Sequence, residues 1–311
     1  MEGNIPVASS GRKMLAIYLA SVGLSFLAFH SILLSILTPL PQFFVSLRLG
    51  RWAGVSLVLL CALLTGISGF QVSMAYLMQF GVPAIVFSEA MRRGFSVEKS
   101  FLYSTLVLML VAVFAIGFYA STQELGMSEA VGRFVESVII ESVDLNEKAG
   151  VKSEPLAEFR KAAPEIGRIA SGLYPAMLAS AALIMLWLNT MLLGRVLSQH
   201  GLDSPFGDLS SWKVSEHLVW GVVLGGLAVF AGAGTMKLVG INILVVLSVI
   251  YFFQGMAILS FYFRRRGFSP FLKGAAYLVA VRYVSLVVVA IGLFDMWADF
   301  RKLSPKEEEG A

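Results

Sequence analysis

The sequence predicts an all-α fold: a polytopic bundle of eight or nine transmembrane helices with an amphipathic helical insert between spans. Three observations carry this. Of 311 residues, 57% are hydrophobic and only 14% charged, and the mean hydropathy of +0.79 lies far above that of a soluble domain. Apolar runs of the roughly 20 residues needed to cross about 30 Å of hydrocarbon recur along the whole chain. The basic residues sit in short clusters between those runs, where they orient the spans. The formal net charge of +4 is therefore no nucleic-acid footprint, and the lipid bilayer is the expected surrounding.

Taken in order, the runs place candidate spans near 14–29, 32–47, 52–68, 71–90, 100–120, 171–193, 214–234, 240–263 and 272–294. The first two are ambiguous. They read either as two short spans turning at His30-Ser31 or as one span 14–37 followed by a piece broken by Pro39 and Pro41, hence eight or nine. The resulting organisation is N-terminal transmembrane helices over 1–120, an extramembrane insert over 121–170, C-terminal transmembrane helices over 171–300 and a polar tail over 301–311. The apolar run after Arg12-Lys13 shows no small-x-small cleavage site, so no removable signal peptide is expected.

Charge sets the orientation. The loops expected on the cytoplasmic side hold Arg48, Arg51, Arg92, Arg93, Lys99, Arg195, Lys213, Arg264, Arg265, Arg266 and Lys273, whereas the short outer connections hold only Lys237. Against that rule, the same alternation puts the tail, with Arg301, Lys302 and Lys306, outside. In the insert, Val131, Phe134, Val135, Val138, Ile139 and Val143 recur at helical spacing and form one apolar stripe. Pro155 opens a second short helix with Leu156, Phe159 and Ile166. The insert reads as a surface helix at the lipid interface or as a lid or docking element.

Catalytic signatures are absent: there is no phosphate-cradling G-x-x-x-x-G-K-[ST], no H-E-x-x-H and no G-x-S-x-G. Three distant histidines and the single Cys61 give no local metal or redox motif. No enzyme, cofactor or metal is expected. Polar groups inside spans are more informative, because each costs free energy in hydrocarbon. Gln71, Gln79, Asn189, Asn242, Gln254 and Arg282 are the candidate ligand-binding residues, lining a cavity between helices; for the amides the competing reading is an interhelical hydrogen bond worth about 0.6 kcal/mol. Glu89, beside Arg92-Arg93, reads as a solvated rim charge.

Arg282 stands out by depth. It follows Lys273 by nine residues, about 14 Å of helix rise, and a central arginine costs about 2.5–3.5 kcal/mol on insertion scales. Snorkelling or neighbouring carbonyls could absorb that cost, or the planar guanidinium faces a cavity and binds an anionic or carbonyl group. Small residues at Ala16-x-x-x-Ala20, Ser21-x-x-x-Ser25 and Gly221/Gly225 permit close helix approach.

Two segments carry a family resemblance: Tyr251-Phe-Phe-Gln254-Gly255 running into Phe261-Tyr-Phe-Arg264-Arg-Arg-Gly267, and Gly292-Leu-Phe-Asp295-Met-Trp297-Ala-Asp299-Phe-Arg301-Lys302. An aromatic-Gln-Gly span, a basic loop and a last span ending in Gly-Leu-x-Asp-x-Trp-x-Asp-Phe-Arg resemble the YybS-like family of bacterial multi-span membrane proteins, which implies no particular activity. More distantly, the hydropathy and topology are similar to the substrate-binding (S) components of energy-coupling-factor importers. Those bundles of about six helices bind a small solute near the outer face, and their first helix docks on a coupling subunit through an Ala-x-x-x-Ala pattern that Ala16 and Ala20 match. The resemblance implies a multi-pass protein of the bacterial cytoplasmic (inner) membrane, solute-binding or transport-related, with a membrane coupling subunit as partner. The alternative expectation is a non-enzymatic scaffold or docking subunit of a cell-envelope complex.

Overall fold

The computed structural model describes residues 11–150, 154–199, 206–208 and 210–302, and their regular structure is entirely helical. The chain forms two compact units: Met1–Val113 with Ala181–Gly207, and Phe114–Ser180 with Asp208–Ala311. Among the described residues five helices are long and apolar enough to cross a membrane: Gly11–His30, Phe70–Arg92, Val97–Thr122, Glu154–Gln199 and Thr235–Arg265. The remaining apolar runs, which the sequence reads as full spans, are shorter or broken.

In the first unit, α1 (Gly11–His30) ends at the expected His30-Ser31 turn. A 3₁₀ turn, Ser35–Leu37, leads into α2 (Pro39–Leu49). The two prolines fall in the first turn of α2, where a missing N–H costs nothing, so they start a helix rather than interrupt one. Gly50, at φ 104°, turns the chain directly into α3 (Arg51–Gly66). The fourth expected span is α4 (Phe70–Tyr76), a π-helical turn Leu77–Gly81, and α5 (Val82–Arg92). Pro83 explains the π turn: it has no N–H for the Gln79 carbonyl and its ring crowds that oxygen. Phe43, Val45, Leu57, Cys61, Tyr76 and Phe87 are fully buried where α2, α3 and the α4–α5 span meet. Gly54 against Ser46 and Gly81 against Val58 let the backbones approach. α6 (Val97–Thr122) begins here.

In the second unit, α7 (Met127–Lys148) is the predicted amphipathic helix, with Val131 and Val143 of its stripe buried. Gly132 and Gly167 bring its backbone against α8 (Glu154–Gln199), and Arg160 pairs with Asp144 at 2.5 Å and Glu147 at 3.0 Å. The second short helix expected at Pro155 is instead the opening of this 46-residue helix, which runs on through Pro164 and Pro175. Further along, α9 (Leu218–Ala231) and α10 (Thr235–Arg265) form an antiparallel pair. Gly221 packs under Leu247, and Gly225 under Leu244 and Ile243, so the Gly221/Gly225 spacing serves packing within the chain. The last expected span, 272–294, is not continuous: α11 (Pro270–Arg282) and α12 (Ser285–Ala298) are bent by 96°. The break falls in a stretch of β-branched and aromatic residues, Val279 to Val289, whose helix propensity is low.

Candidate functional site

The six polar residues expected to line one cavity differ in burial and in partners. Gln71 and Gln79 are exposed on the Phe70–Arg92 span. Arg282 is exposed at the last position of α11, where the helix ends, and its guanidinium lies 5.5 Å from the centre of the Tyr283 ring. Asn189 and Gln254 are buried and Asn242 is half-buried, and each bonds backbone of another segment.

Asn242 on α10 is inserted into the kink of α8. Its Nδ2 donates to the Gly172 carbonyl at 2.9 Å and its Oδ1 accepts from the Ala176 N–H at 3.0 Å, the two groups that an unbroken helix would join to each other. Pro175, between them, has no N–H for the Ser171 carbonyl, and the Asn242 amide braces the turn around it. Asn189 on α8 does the same for the turn after α1, donating from Nδ2 to the Ile36 carbonyl at 2.7 Å as well as to Met185 in its own helix. An unpaired buried carbonyl or N–H costs about 1–3 kcal/mol, more than an ordinary interhelical bond gains, and this cost explains why amides occupy these positions.

Gln254 belongs to a larger network. None of the described residues between Asp208 and His217 is helical. This stretch runs beside α10 from Arg264, which bonds Asp208 Oδ2 at 2.6 Å and Ser210 Oγ, down to Gln254, whose Oε1 accepts from the Val214 N–H at 2.9 Å. Arg301, just past α12, donates from Nη1 to the carbonyls of Ser210 at 2.8 Å and Trp212 at 2.9 Å. Its Nη2 pairs with Asp295 Oδ2 at 2.8 Å, and both side chains are 0% exposed. Asp295 also accepts from Gln254 Nε2 at 3.1 Å and from the Phe300 N–H at 3.0 Å. Gln254, Asp295 and Arg301 thus hold one strip of unwound backbone with charge-assisted bonds. These are the residues of the two resembling segments, and their glycines belong to the same construction: Gly255 and Gly292 let α10 and α12 cross with backbone atoms in contact. At the outer end of the strip, Arg264 holds the Asp208 carboxyl below the usual carboxylate range.

A cavity lies in the first unit, among α2, α3 and α5. Its volume is about 70 Å³, and its wall is Gln42, Ser46, Arg51, Ser88 and Glu89 over an apolar floor of Val55, Val58, Ala84 and Ile85. Arg51 Nε and Glu89 Oε2 stand 3.9 Å apart at its mouth, an ion pair too long for a hydrogen bond, while Arg93 bonds the other Glu89 oxygen at 2.9 Å. Arg92 braces α2 by donating to the Ser46 carbonyl at 3.2 Å. Inside, Gln42 Nε2 donates to Tyr76 Oη at 2.6 Å and Ser25 Oγ at 3.2 Å. Of these residues Glu89, Arg51, Arg92 and Arg93 stand out on charge. The signal for the rest is Thr38, Gln42 and Ser46 at successive i+4 positions, all buried, in a stretch whose prolines make it look like a broken span.

Ala16 and Ala20 lie on the exposed face of α1, whereas Ser21 and Ser25 face inward and Ser25 Oγ donates to the Thr38 carbonyl at 3.0 Å. The close-approach pattern used inside the chain is therefore the serine pair. A family model described as a predicted membrane protein, DUF2232, matches residues 14–296. The chain belongs to the DUF2232 family. No curated protein and no solved structure matches it. The matched DUF2232 region contains the niche, all three backbone-bridging amides and Asp295, and it stops just short of Arg301.

Proposed function

We propose that this DUF2232 member is a solute-binding, transport-related membrane protein, and that the niche among α2, α3 and α5 is its solute site. One observation carries the reading: opposite charges, Arg51 and Glu89, face each other at 3.9 Å over an apolar floor. A loosely held pair of this kind can exchange partners with a ligand bearing both charges. Arg51 takes a carboxylate, where the guanidinium fork is the best available donor, Glu89 takes an ammonium, and the floor takes a short apolar group. One water needs roughly 10–15 Å³ of such space, so about 70 Å³ admits a solute of few heavy atoms. The ligand class is a small zwitterion of amino-acid size.

The niche sits at the helix ends that carry Arg48, Arg51, Arg92 and Arg93, which the positive-inside rule assigns to the cytoplasmic face. The S-component resemblance supports the class of function and not this location, since it implies an outer-face site. It also implies that the open Ala16/Ala20 face of α1 receives a coupling subunit. A panel of small amino acids, carboxylates and amines tested by thermal unfolding in detergent checks the reading. A binding zwitterion adds about 2.7 kcal/mol at a hundredfold excess over its Kd, several degrees in Tm. Arg51→Gln and Glu89→Gln abolish that shift while changing ligand-free stability by no more than about 1 kcal/mol. The reading fails if no zwitterion shifts the wild type, or if the shift survives both substitutions.

A further inference from the structure

The bent pair α11–α12 admits two topologies, a single broken crossing or an excursion that returns to the side it left. We infer that it is a re-entrant hairpin, with its two ends on one side of the membrane and Arg282-Tyr283 at its inner tip. The inference is independent of the niche. Its first support is where the two ends lie. At the end of α10, Tyr262 Oη donates to the carbonyl of Phe300, past the end of α12, at 2.6 Å. Arg264 of α10 and Arg301 after α12 both clasp Ser210, the first through its hydroxyl and the second through its carbonyl. The chain therefore leaves α10 at Arg265 and comes back, through α11 and α12, to the same place.

Helix direction gives the second support. Two consecutive spans joined by a short loop must run antiparallel. α10 and α12 cross where Gly255 meets Val288 and Gly292 meets Tyr251, and they meet again at Tyr262 and Phe300. From the crossing to the second contact, both chains advance toward their C-termini, so the two helices run the same way. Only an intervening segment that goes in and turns back allows this. Lengths agree: the 13 residues of α11 and 14 of α12 each rise about 20 Å, short of a hydrocarbon core of about 30 Å.

Charge gives the third. If 272–294 were a crossing, Arg301 and Lys302 would lie opposite Arg264, Arg265 and Arg266, against the positive-inside rule. A re-entrant pair puts all five cations on one side. The tip carries an exposed cation, Arg282.

The lone cysteine makes the test direct. In full-length protein carrying Cys61→Ser, single cysteines are introduced as Arg266→Cys, Lys302→Cys and Lys237→Cys, and a membrane-impermeant maleimide is applied to intact cells and to inverted vesicles. The hairpin predicts that positions 266 and 302 react in the same preparation and position 237, at the opposite end of α10, in the other. Position 302 reacting together with 237, and not with 266, overturns it. Since Cys61 is buried and its replacement can impair folding, the unmodified chain is also fused at its C-terminus to green fluorescent protein or to alkaline phosphatase. The hairpin predicts the reporter outcome given by the same pair inserted after Gly267; opposite outcomes at the two sites refute it.

Discussion

Arg301→Met is expected to destabilise the detergent-solubilised protein by about 3–5 kcal/mol, the cost of leaving a buried charge without its partner. Asp295 is fully enclosed. Without Arg301 it keeps only the Gln254 amide and the Phe300 N–H, and the Ser210 and Trp212 carbonyls lose their donor at the same time. Asp295→Leu has the mirror effect on Arg301. The double variant Asp295→Leu/Arg301→Met removes both charges and is expected to lose clearly less than the two single effects combined, because the ionic desolvation cost disappears with the ions. It does not return to wild type, since the two carbonyls stay unpaired. Reversible unfolding in mixed detergent measures all three. Strict additivity would show that the pair does not act as a unit.

Gly292→Ala is expected to cost about 1–3 kcal/mol or more, the range for forcing atoms into packed space, and to lower the amount of folded protein recovered. A Cβ there would overlap the Tyr251 carbonyl oxygen and approach the Gly255 N–H at 2.9 Å. These are backbone atoms in a helix, so nothing can swing aside and the helices must part. Parting them draws Asp295 away from Gln254, three residues from the substituted position. Gly255→Ala meets the Val288 carbonyl in the same way. Gly226→Ala and Gly274→Ala are the controls: a Cβ at either meets nothing within 4 Å, so both are expected to be neutral or slightly stabilising through better helix propensity. Thermal unfolding of the four variants separates the crossing glycines from the rest.

Much of the helical architecture is legible in the sequence because it follows from periodicity and length. The amphipathic stripe of α7, the turn at His30-Ser31 and the long spans ending near Thr122 and Arg265 are of this kind. What the sequence conceals is the demand side of the hydrogen-bond accounting. Asn242 reads as a polar residue in need of a partner, and the partner is a proline kink 66 residues upstream. The distance in sequence hides the match, although Pro175 itself predicts a freed carbonyl. Gln254 likewise serves the Val214 N–H, in a run that hydropathy assigns to a span over 214–234, and nothing in composition shows that this span starts late, at Leu218. Arg282 misleads for a related reason. Hydropathy averages over 272–294 and cannot register a 96° bend, so a residue at a helix terminus looks like one in mid-span. The niche is the least legible part, because α2 is too short to look like a membrane helix and its polar face, Thr38, Gln42 and Ser46, is ordinary in composition.

Asn189, Asn242 and Gln254 pair with backbone at a turn, at a proline inside a helix and in a non-helical strip. This pairing predicts the exchange behaviour of two particular amides. Hydrogen exchange of the folded protein in detergent, resolved to the peptides containing Val214 and Ala176, is compared among wild type, Gln254→Leu and Asn242→Leu. The account predicts slow exchange at both sites in the wild type, selective loss of protection around Val214 in Gln254→Leu and around Ala176 in Asn242→Leu, each leaving the other site protected. Protection unchanged at both sites in both variants would contradict it and would return these amides to the role of free ligand-binding groups.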